Sequence, residues 1–311
     1  MAHYLVTGGS GFIGSNLVQA LVERGQAVRV LDNFSTGRRP NLAELENKIE
    51  LVEGDIRDRT IIERAVDGID YVLHQAALGS VPRSVQDPLT SNDVNVNGTL
   101  NLLWAAKKAR VKRFVMASSS SIYGNTPSLP KDESMLPNPI SPYAVSKLAG
   151  ERYTLSFHAV YGLSAVVLRY FNVFGPNQDP TSQYAAVIPR FITALMNDQS
   201  PIVYGDGEQS RDFTYVDNVV QANLLACTAP AAPGHAMNIA CGDHYSLNTL
   251  LQHLAEIMGK KAWPVYETDR AGDVKHSMAS IERAQQLLGF SPAINFKEGL
   301  KRTVAWFLQN S

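Results

Sequence analysis

The chain has 311 residues, of which 45% are hydrophobic and 18% charged, with a net charge of -1. That length suits one large domain or two sharing a core, and the composition excludes a disordered chain. It carries no basic block of the kind a nucleic-acid partner requires, and no apolar run near the ~20 residues of a membrane span.

The start, Met1-Ala-His-Tyr-Leu-Val6, enters a strand without a signal-peptide pattern. Cys227 and Cys241, the two cysteines, fit neither a disulfide framework nor a metal-site spacing, which predicts free thiols in a reducing cytoplasm. The seven histidines show no HxxxH pattern, so no metal is expected.

Tyr4 to Thr7 is a short apolar run of β character, followed by Gly8-Gly-Ser-Gly11-Phe-Ile-Gly14. Residues 12 to 25 show helical apolar spacing, and Ala27 to Leu31 is a second strand closed by Asp32. The glycines are spaced three and three. On their own they are a weak signal, but strand, glycine turn, helix, strand and acid within one βαβ length are what dinucleotide binding requires. Gly8 and Gly11 let a pyrophosphate approach backbone N–H groups, Gly14 lets the helix pack on the strand, and the helix N-terminus favours phosphate charge. Asp32 stands where an acid accepts hydrogen bonds from the adenosine ribose, favouring NAD over NADP. Arg38 and Arg39 lie downstream and leave a 2′-phosphate as the alternative.

The alternation continues with a strand at 49–53, Gly54-Asp55-Ile56, a helix at 58–67, and a strand at 71–74 that runs into Gln75-Ala-Ala77. Asp55 and Ile56 are expected at adenine, and small Ala76 and Ala77 at the pyrophosphate. A long helix is expected over 88–110; its Asn95 either holds backbone near the next strand or is simply exposed. The strand 113–116 delivers Ser118, Ser119, Ser120 and Ser121 to its C-terminal end, where ligands sit in doubly wound sheets. A helix at 142–161 puts Tyr143 and Lys147 one turn apart on one face. A tyrosine has an ordinary pKa near ~10, and a close cation favours its phenolate, so the pair is a candidate base. A strand at 164–170 follows.

After Asn172 the regular alternation weakens, which predicts a smaller α/β substrate domain over 173–311 beside a Rossmann domain over 1–172. The chain is expected to return to the first domain near 213–228. The fold class is α/β with a doubly wound parallel sheet. Helices at 246–259 and 296–308 read as packing elements.

Taken together, TGGSGFIG, ASSSSIYG, SPYAVSK and LRYFNVFG resemble the extended short-chain dehydrogenase/reductase family, in its nucleotide-sugar epimerase branch. HQAALGSVPRS (74–84), YAAVIP (184–189), GDGEQSRDF (205–213) and RAGDVKHSMA (270–279) are similar to epimerases acting at C4 of UDP-N-acetylglucosamine. The resemblance covers nearly the whole chain. It implies NAD as cofactor, a UDP-sugar as substrate and a homodimer through helices 88–110 and 142–161. It implies Tyr143 as the base at the sugar 4-hydroxyl, Ser119 as the hydroxyl that relays its proton, and Lys147 as the residue that lowers the Tyr143 pKa and holds the nicotinamide ribose. Phe12, Ile13, Asn33, Gln75 and Tyr170 join the cofactor set. Ser80, Ser120 and Ser121 are placed at the sugar, with Pro82 and Arg83 at its border. Asn172, Arg211 and Arg270 are placed at the phosphates, Val187 and Tyr204 at uracil, and Asp273 at the uridine ribose. Small Ser277 stands where epimerases restricted to plain glucose and galactose carry a tyrosine, which favours N-acetylated sugars.

Related dehydratases place an Asp-Glu pair after the first hydroxyl, where this chain has Ser120 and Ser121. Elimination is therefore disfavoured, and so is decarboxylation. The readings left open are a UDP-glucose or UDP-glucuronate 4-epimerase, an NAD-sensing binding protein on the same fold, and an NADPH-dependent sugar reductase.

Overall fold

The computed structural model describes residues 1–180, 186–268 and 275–310. Arg270 and Asp273 lie outside the described residues.

Six strands and six α-helices build the first half. The strands are β1 (His3–Thr7), β2 (Ala27–Asp32), β3 (Glu50–Glu53), β4 (Tyr71–His74), β5 (Arg113–Ser119) and β6 (Ala165–Tyr170). The helices are α1 (Phe12–Glu23), α2 (Arg59–Val66), α3 (Val81–Gln86), α4 (Pro88–Asn92), α5 (Thr99–Ala109) and α6 (Pro142–Tyr161). The later elements are short strands and medium helices: β7 (Val173–Phe174), α7 (Val187–Met196), β8 (Ile202–Tyr204), β9 (Ser210–Arg211), β10 (Thr214–Tyr215), α8 (Val216–Thr228), β11 (Ala236–Ile239), β12 (Tyr245–Ser246), α9 (Leu247–Met258), β13 (Val265–Glu267), α10 (Glu282–Leu288) and α11 (Phe296–Gln309).

The main sheet is parallel, in the order β11-β6-β5-β4-β1-β2-β3. Strand order reverses between β1 and β4, which opens a crevice at their C-terminal ends. Helices cover both faces, so the central strands are buried along nearly their whole length and mostly apolar. All six residues of β6 are buried, as are six of the seven of β5. Two apolar clusters flank the sheet, one under α1 and α8, the other under α2 and α5. A third, built around Phe174, Phe213, Tyr215 and Phe296, forms the core of the smaller unit.

Two boundaries differ from the sequence reading. The return to the sheet extends past 228, because β11 pairs with β6 as far as Ile239. The helix expected over 88–110 is three consecutive segments: α4, a π-helical stretch at Asp93–Gly98, and α5. The π stretch contains Asn95, whose side chain bonds Leu78 and Ser146 rather than solvent. Widened turns of this kind concentrate at functional sites. No helix among the described residues is long and apolar enough to cross a membrane.

Candidate active site

The glycine turn is held by close packing. Gly8 has φ +68, a conformation that disfavours a side chain, and a Cβ on it would lie 2.7 Å from the Ala76 nitrogen. A Cβ on Gly14 would lie 2.0 Å from the Gly8 carbonyl oxygen. Helix α1 starts at Gly11 with no side-chain cap, so its first N–H groups remain for a ligand phosphate. Asp32, at the end of β2, is buried and accepts from the Ser10 and Phe34 N–H groups. Asn33 donates to Asp55, and the Arg57 guanidinium holds the Asp55 carboxyl down at about 2.

Both downstream arginines are engaged away from the crevice. Arg39 lies over the Phe34 ring and pairs with Glu53 at 2.5 Å, and Arg38 pairs with Asp179 at 3.8 Å.

The glycine turn and the ends of β2 and β3 border a cavity of about 630 Å³. Gly8, Gly11, Phe12, Ile13, Gly14, Asp32, Asn33, Asp55, Ile56, Gln75, Ala76, Ala77, Tyr143, Lys147 and Tyr170 all line it. Asn95 does not; it acts from behind, fixing the Leu78 backbone and, through Ser146, the helix α6. Gln75 and Tyr170 are joined to each other and to Asn223 by hydrogen bonds of 2.8 to 3.2 Å.

Helix α6 begins sharply. Ser141 caps it by accepting from the Ala144 N–H, Pro142 fills the first turn, and Gly162 ends it in the left-handed conformation. The Tyr143 N–H donates to Ser84, which ties α3 to the start of α6. A second cavity, about 570 Å³, begins at the far side of Tyr143. Phe12, Ile13, Ser118, Tyr143 and Tyr170 border both spaces, so the phenol stands where they meet. Ser119, Ser120, Ser121, Asn172, Arg211 and Ser277 line the second cavity. The Ser121 hydroxyl is buried with no hydrogen-bond partner, and so is the Gln178 carbonyl oxygen in the same wall. A third cavity, about 260 Å³, opens beyond Asn172 and Arg211, and Val187 and Tyr204 line it.

Two expectations are corrected here. Ser80 lines neither of the larger cavities; it caps α3, its hydroxyl accepting from the Arg83 N–H at 3.2 Å. The expected depression of the Tyr143 pKa by Lys147 is also absent. The Ser119 hydroxyl acts on the Tyr143 side chain and pulls its pKa down, but burial outweighs this and raises it. Lys147 is itself buried, donates to the Ala117 carbonyl at 3.1 Å, and is driven by burial toward neutrality, with a pKa of about 8.

Two contributors were missed in the sequence. Asp212 is fully buried and accepts from the N–H groups of Cys241, Gly242 and Ala279, while its own carbonyl accepts from the Asn172 side chain. Burial pushes its carboxyl up to about 7. Gln178 follows a Gly-Pro turn that gave no chemical signal of its own.

The donor set suits a dinucleotide. A turn closed to any Cβ, uncapped N–H groups at α1 and a buried acid on β2 fit a pyrophosphate and a ribose diol.

The comparisons agree with this geometry. The model of the "NAD dependent epimerase/dehydratase family" matches residues 4–240. A putative UDP-glucose 4-epimerase of Methanocaldococcus jannaschii is 40% identical over 309 residues, 99% of each chain. The solved UDP-N-acetylglucosamine 4-epimerase of Methanobrevibacter ruminantium, in complex with UDP-N-acetylmuramic acid, superposes with a TM-score of 0.96 at 41% identity, over 100% of this chain and 99% of that one. The Thermus thermophilus UDP-glucose 4-epimerase in complex with NAD gives a TM-score of 0.91 at 36% identity, over 99% and 100%.

Proposed function

Because the chain belongs to the NAD-dependent epimerase/dehydratase family, whose cofactor is NAD, we propose that it is a UDP-sugar 4-epimerase that interconverts UDP-GlcNAc and UDP-GalNAc. The observation that carries the reaction type is the second cavity's wall. Among the described residues lining it there is no Asp or Glu. Elimination or decarboxylation calls for an acid–base partner near C5 or C6, whereas reversible oxidation at C4 calls for a single proton acceptor.

In this reading the first cavity holds NAD on Gly8, Gly11, Gly14 and Asp32, with Lys147 and Tyr170 at the nicotinamide end. Bound NAD supplies the hydride acceptor and donor at C4, and a positive ring that favours the phenolate. Tyr143 takes the proton of the sugar 4-hydroxyl, assisted by Ser119, whose hydroxyl lines the same cavity and acts on the phenol. The 4-keto sugar turns within the cavity, and Tyr143 returns the proton on the other face. Asn172 and Arg211 hold the diphosphate, where a forked guanidinium suits two phosphates. Val187 and Tyr204 hold the uracil. Ser120 and Ser121 contact the sugar. Arg270 and Asp273 complete the phosphate and ribose contacts.

The N-acetyl preference rests on Ser277, which lines the same cavity as Ser119 and Tyr143. Its small side chain leaves space for a 2-acetamido group. Measuring kcat/KM for UDP-GlcNAc and UDP-glucose tests this: the first should be larger, and Ser277→Tyr should remove it selectively. A wild-type preference for the plain sugar, or for UDP-glucuronate, would overturn the substrate assignment.

The same reading includes a homodimer in the cytoplasm. Helices α5 and α6 leave Trp104, Tyr153 and Tyr161 exposed side by side, which suits a helix-to-helix contact. Both cysteines are free thiols, as in a reducing compartment.

A further inference from the structure

Helix α6 presents a third functional position on the face that carries Tyr143 and Lys147. Residues 143, 147 and 151 are four apart, so they align along one stripe. Glu151 is fully buried. Its carboxylate accepts from Arg169 on β6 through two bonds, Nη2 to Oε1 at 2.6 Å and Nε to Oε2 at 3.1 Å. It also accepts from the Ser118 hydroxyl on β5 at 3.0 Å. Ser118 borders both large cavities and directly precedes Ser119.

The chain of bonds continues past the ion pair. Arg169 Nη1 donates to the Tyr123 hydroxyl, which donates to Asn238 Oδ1 on β11, both at 2.7 Å. The Asn238 amide donates to the carbonyls of Lys131 and Ser280. Buried hydrogen bonds thus join the helix that carries the base to the strand end that carries Ser119. They reach on to the segment just after Ser277.

We propose that Glu151 and Arg169 are positioning residues for the Tyr143–Ser119 pair, and that the neutral balance of their charges is part of that role. This rests on Tyr143 being the base, as argued above. A buried carboxylate and guanidinium in a bidentate arrangement fix direction as well as distance. They hold α6 in register on β5 and β6, which sets the phenol against the serine hydroxyl. Removing only one charge leaves the other unbalanced below the base in a medium that screens weakly. The other ionisable groups facing this region are Tyr123, whose hydroxyl accepts from Arg169, Glu133, which acts on Tyr123 and accepts from the Asn238 N–H, and Lys147 one turn along α6 toward Tyr143.

The test compares wild type, Glu151→Gln and Glu151→Gln/Arg169→Gln, using whichever UDP-hexose the wild type turns over best. Wild-type turnover tests the epimerase reading; the variants test this inference. In Glu151→Gln the Arg169 charge is uncompensated and favours the phenolate. The acid limb of the kcat/KM profile should move to lower pH by on the order of one unit. Misplacing the base by even ~1 Å should lower kcat about a hundredfold with KM nearly unchanged. The double variant should return the limb to its wild-type pH while kcat stays low. If the single variant does not fold, the double variant decides: wild-type kcat in it overturns the proposal. A single variant that only lowers the thermal midpoint, with kcat and the limb unmoved, overturns it too.

Discussion

Tyr143 and Lys147 share one face of α6 but serve different walls. The Tyr143 hydroxyl meets Ser119 at the junction of the two large cavities, while Lys147 reaches back to the Ala117 carbonyl and borders only the first cavity. In the proposed reaction the short path for a proton therefore runs from the sugar to Ser119 and Tyr143. Tyr143→Phe should lower kcat by about 10²–10⁴-fold, the usual worth of a positioned acid–base group. Ser119→Ala should lower it less, and the double variant should be little worse than Tyr143→Phe alone, since the two act as a unit. NAD carried through purification should be unchanged in all three. Steady-state kinetics with cofactor content measured by absorbance checks this, and full activity in Tyr143→Phe would refute the assigned base.

Much of this site was legible because its signals are local. A glycine turn between strand and helix, an acid ending β2, a serine run ending β5 and a Tyr/Lys pair on α6 can each be read from adjacent residues. The Lys147 effect on Tyr143 was misread because spacing on a helix does not say where a long side chain points. Asp212 escaped because its partners, Cys241, Gly242 and Ala279, lie far along the chain and meet it only after the chain folds. Asn95 was half-legible, since its position was clear but its burial was set by the π-helical stretch. The helix α7, not anticipated in the sequence, forms because Ile188, Phe191, Ile192 and Leu195 bury one face against the smaller core.

His74 should make the protein sensitive to acid. Its ring nitrogens bond Thr7 at 2.7 Å and Thr99 at 2.9 Å. Thr99 donates its own proton to the Asn95 carbonyl, so Nε2 donates to Thr99 and Nδ1 accepts from Thr7. Burial, with some contribution from Lys147, lowers its pKa to about 3. The unfolded chain takes up a proton below about pH 6.5 while the folded chain does not, so stability falls as pH drops from there toward 3. At pH 5 the loss relative to pH 7 should be about 2 kcal/mol. Urea unfolding of wild type and His74→Gln across this range measures it. The variant should be less stable at pH 7 but show a shallower slope; equal slopes would refute the assignment.

Asp212 organises one side of the second cavity by holding three N–H groups from two loops. Asp212→Ala leaves those donors buried without an acceptor, at a cost of about 1–3 kcal/mol each before relaxation. The loops should shift, and Ser277 and Asn172 with them. We expect a lower thermal midpoint and a KM for UDP-sugar raised more than tenfold, as the order of effect for ~1.4 kcal/mol of lost binding. NAD content should stay at the wild-type level, because Asp212 is absent from the first cavity. Loss of NAD with an unchanged KM would contradict this division of labour.

In the proposed reading cofactor choice turns on Asp32, and it should resist simple reversal. A 2′-phosphate would meet a buried carboxylate that already accepts from Ser10 and Phe34. Removing the acid in Asp32→Ala relieves the repulsion but supplies no cation, because Arg39 is committed to Glu53 and Phe34, and Arg38 to Asp179. The variant should therefore bind NAD more weakly without gaining measurable NADP binding. The Ser10 N–H also loses its acceptor, so some stability should go with the affinity. Titration calorimetry on cofactor-stripped protein compares the two dinucleotides. Adding Glu53→Ala should free Arg39 and produce the first detectable NADP affinity; NADP binding by Asp32→Ala alone would show that one of the arginines reaches the ribose without being released.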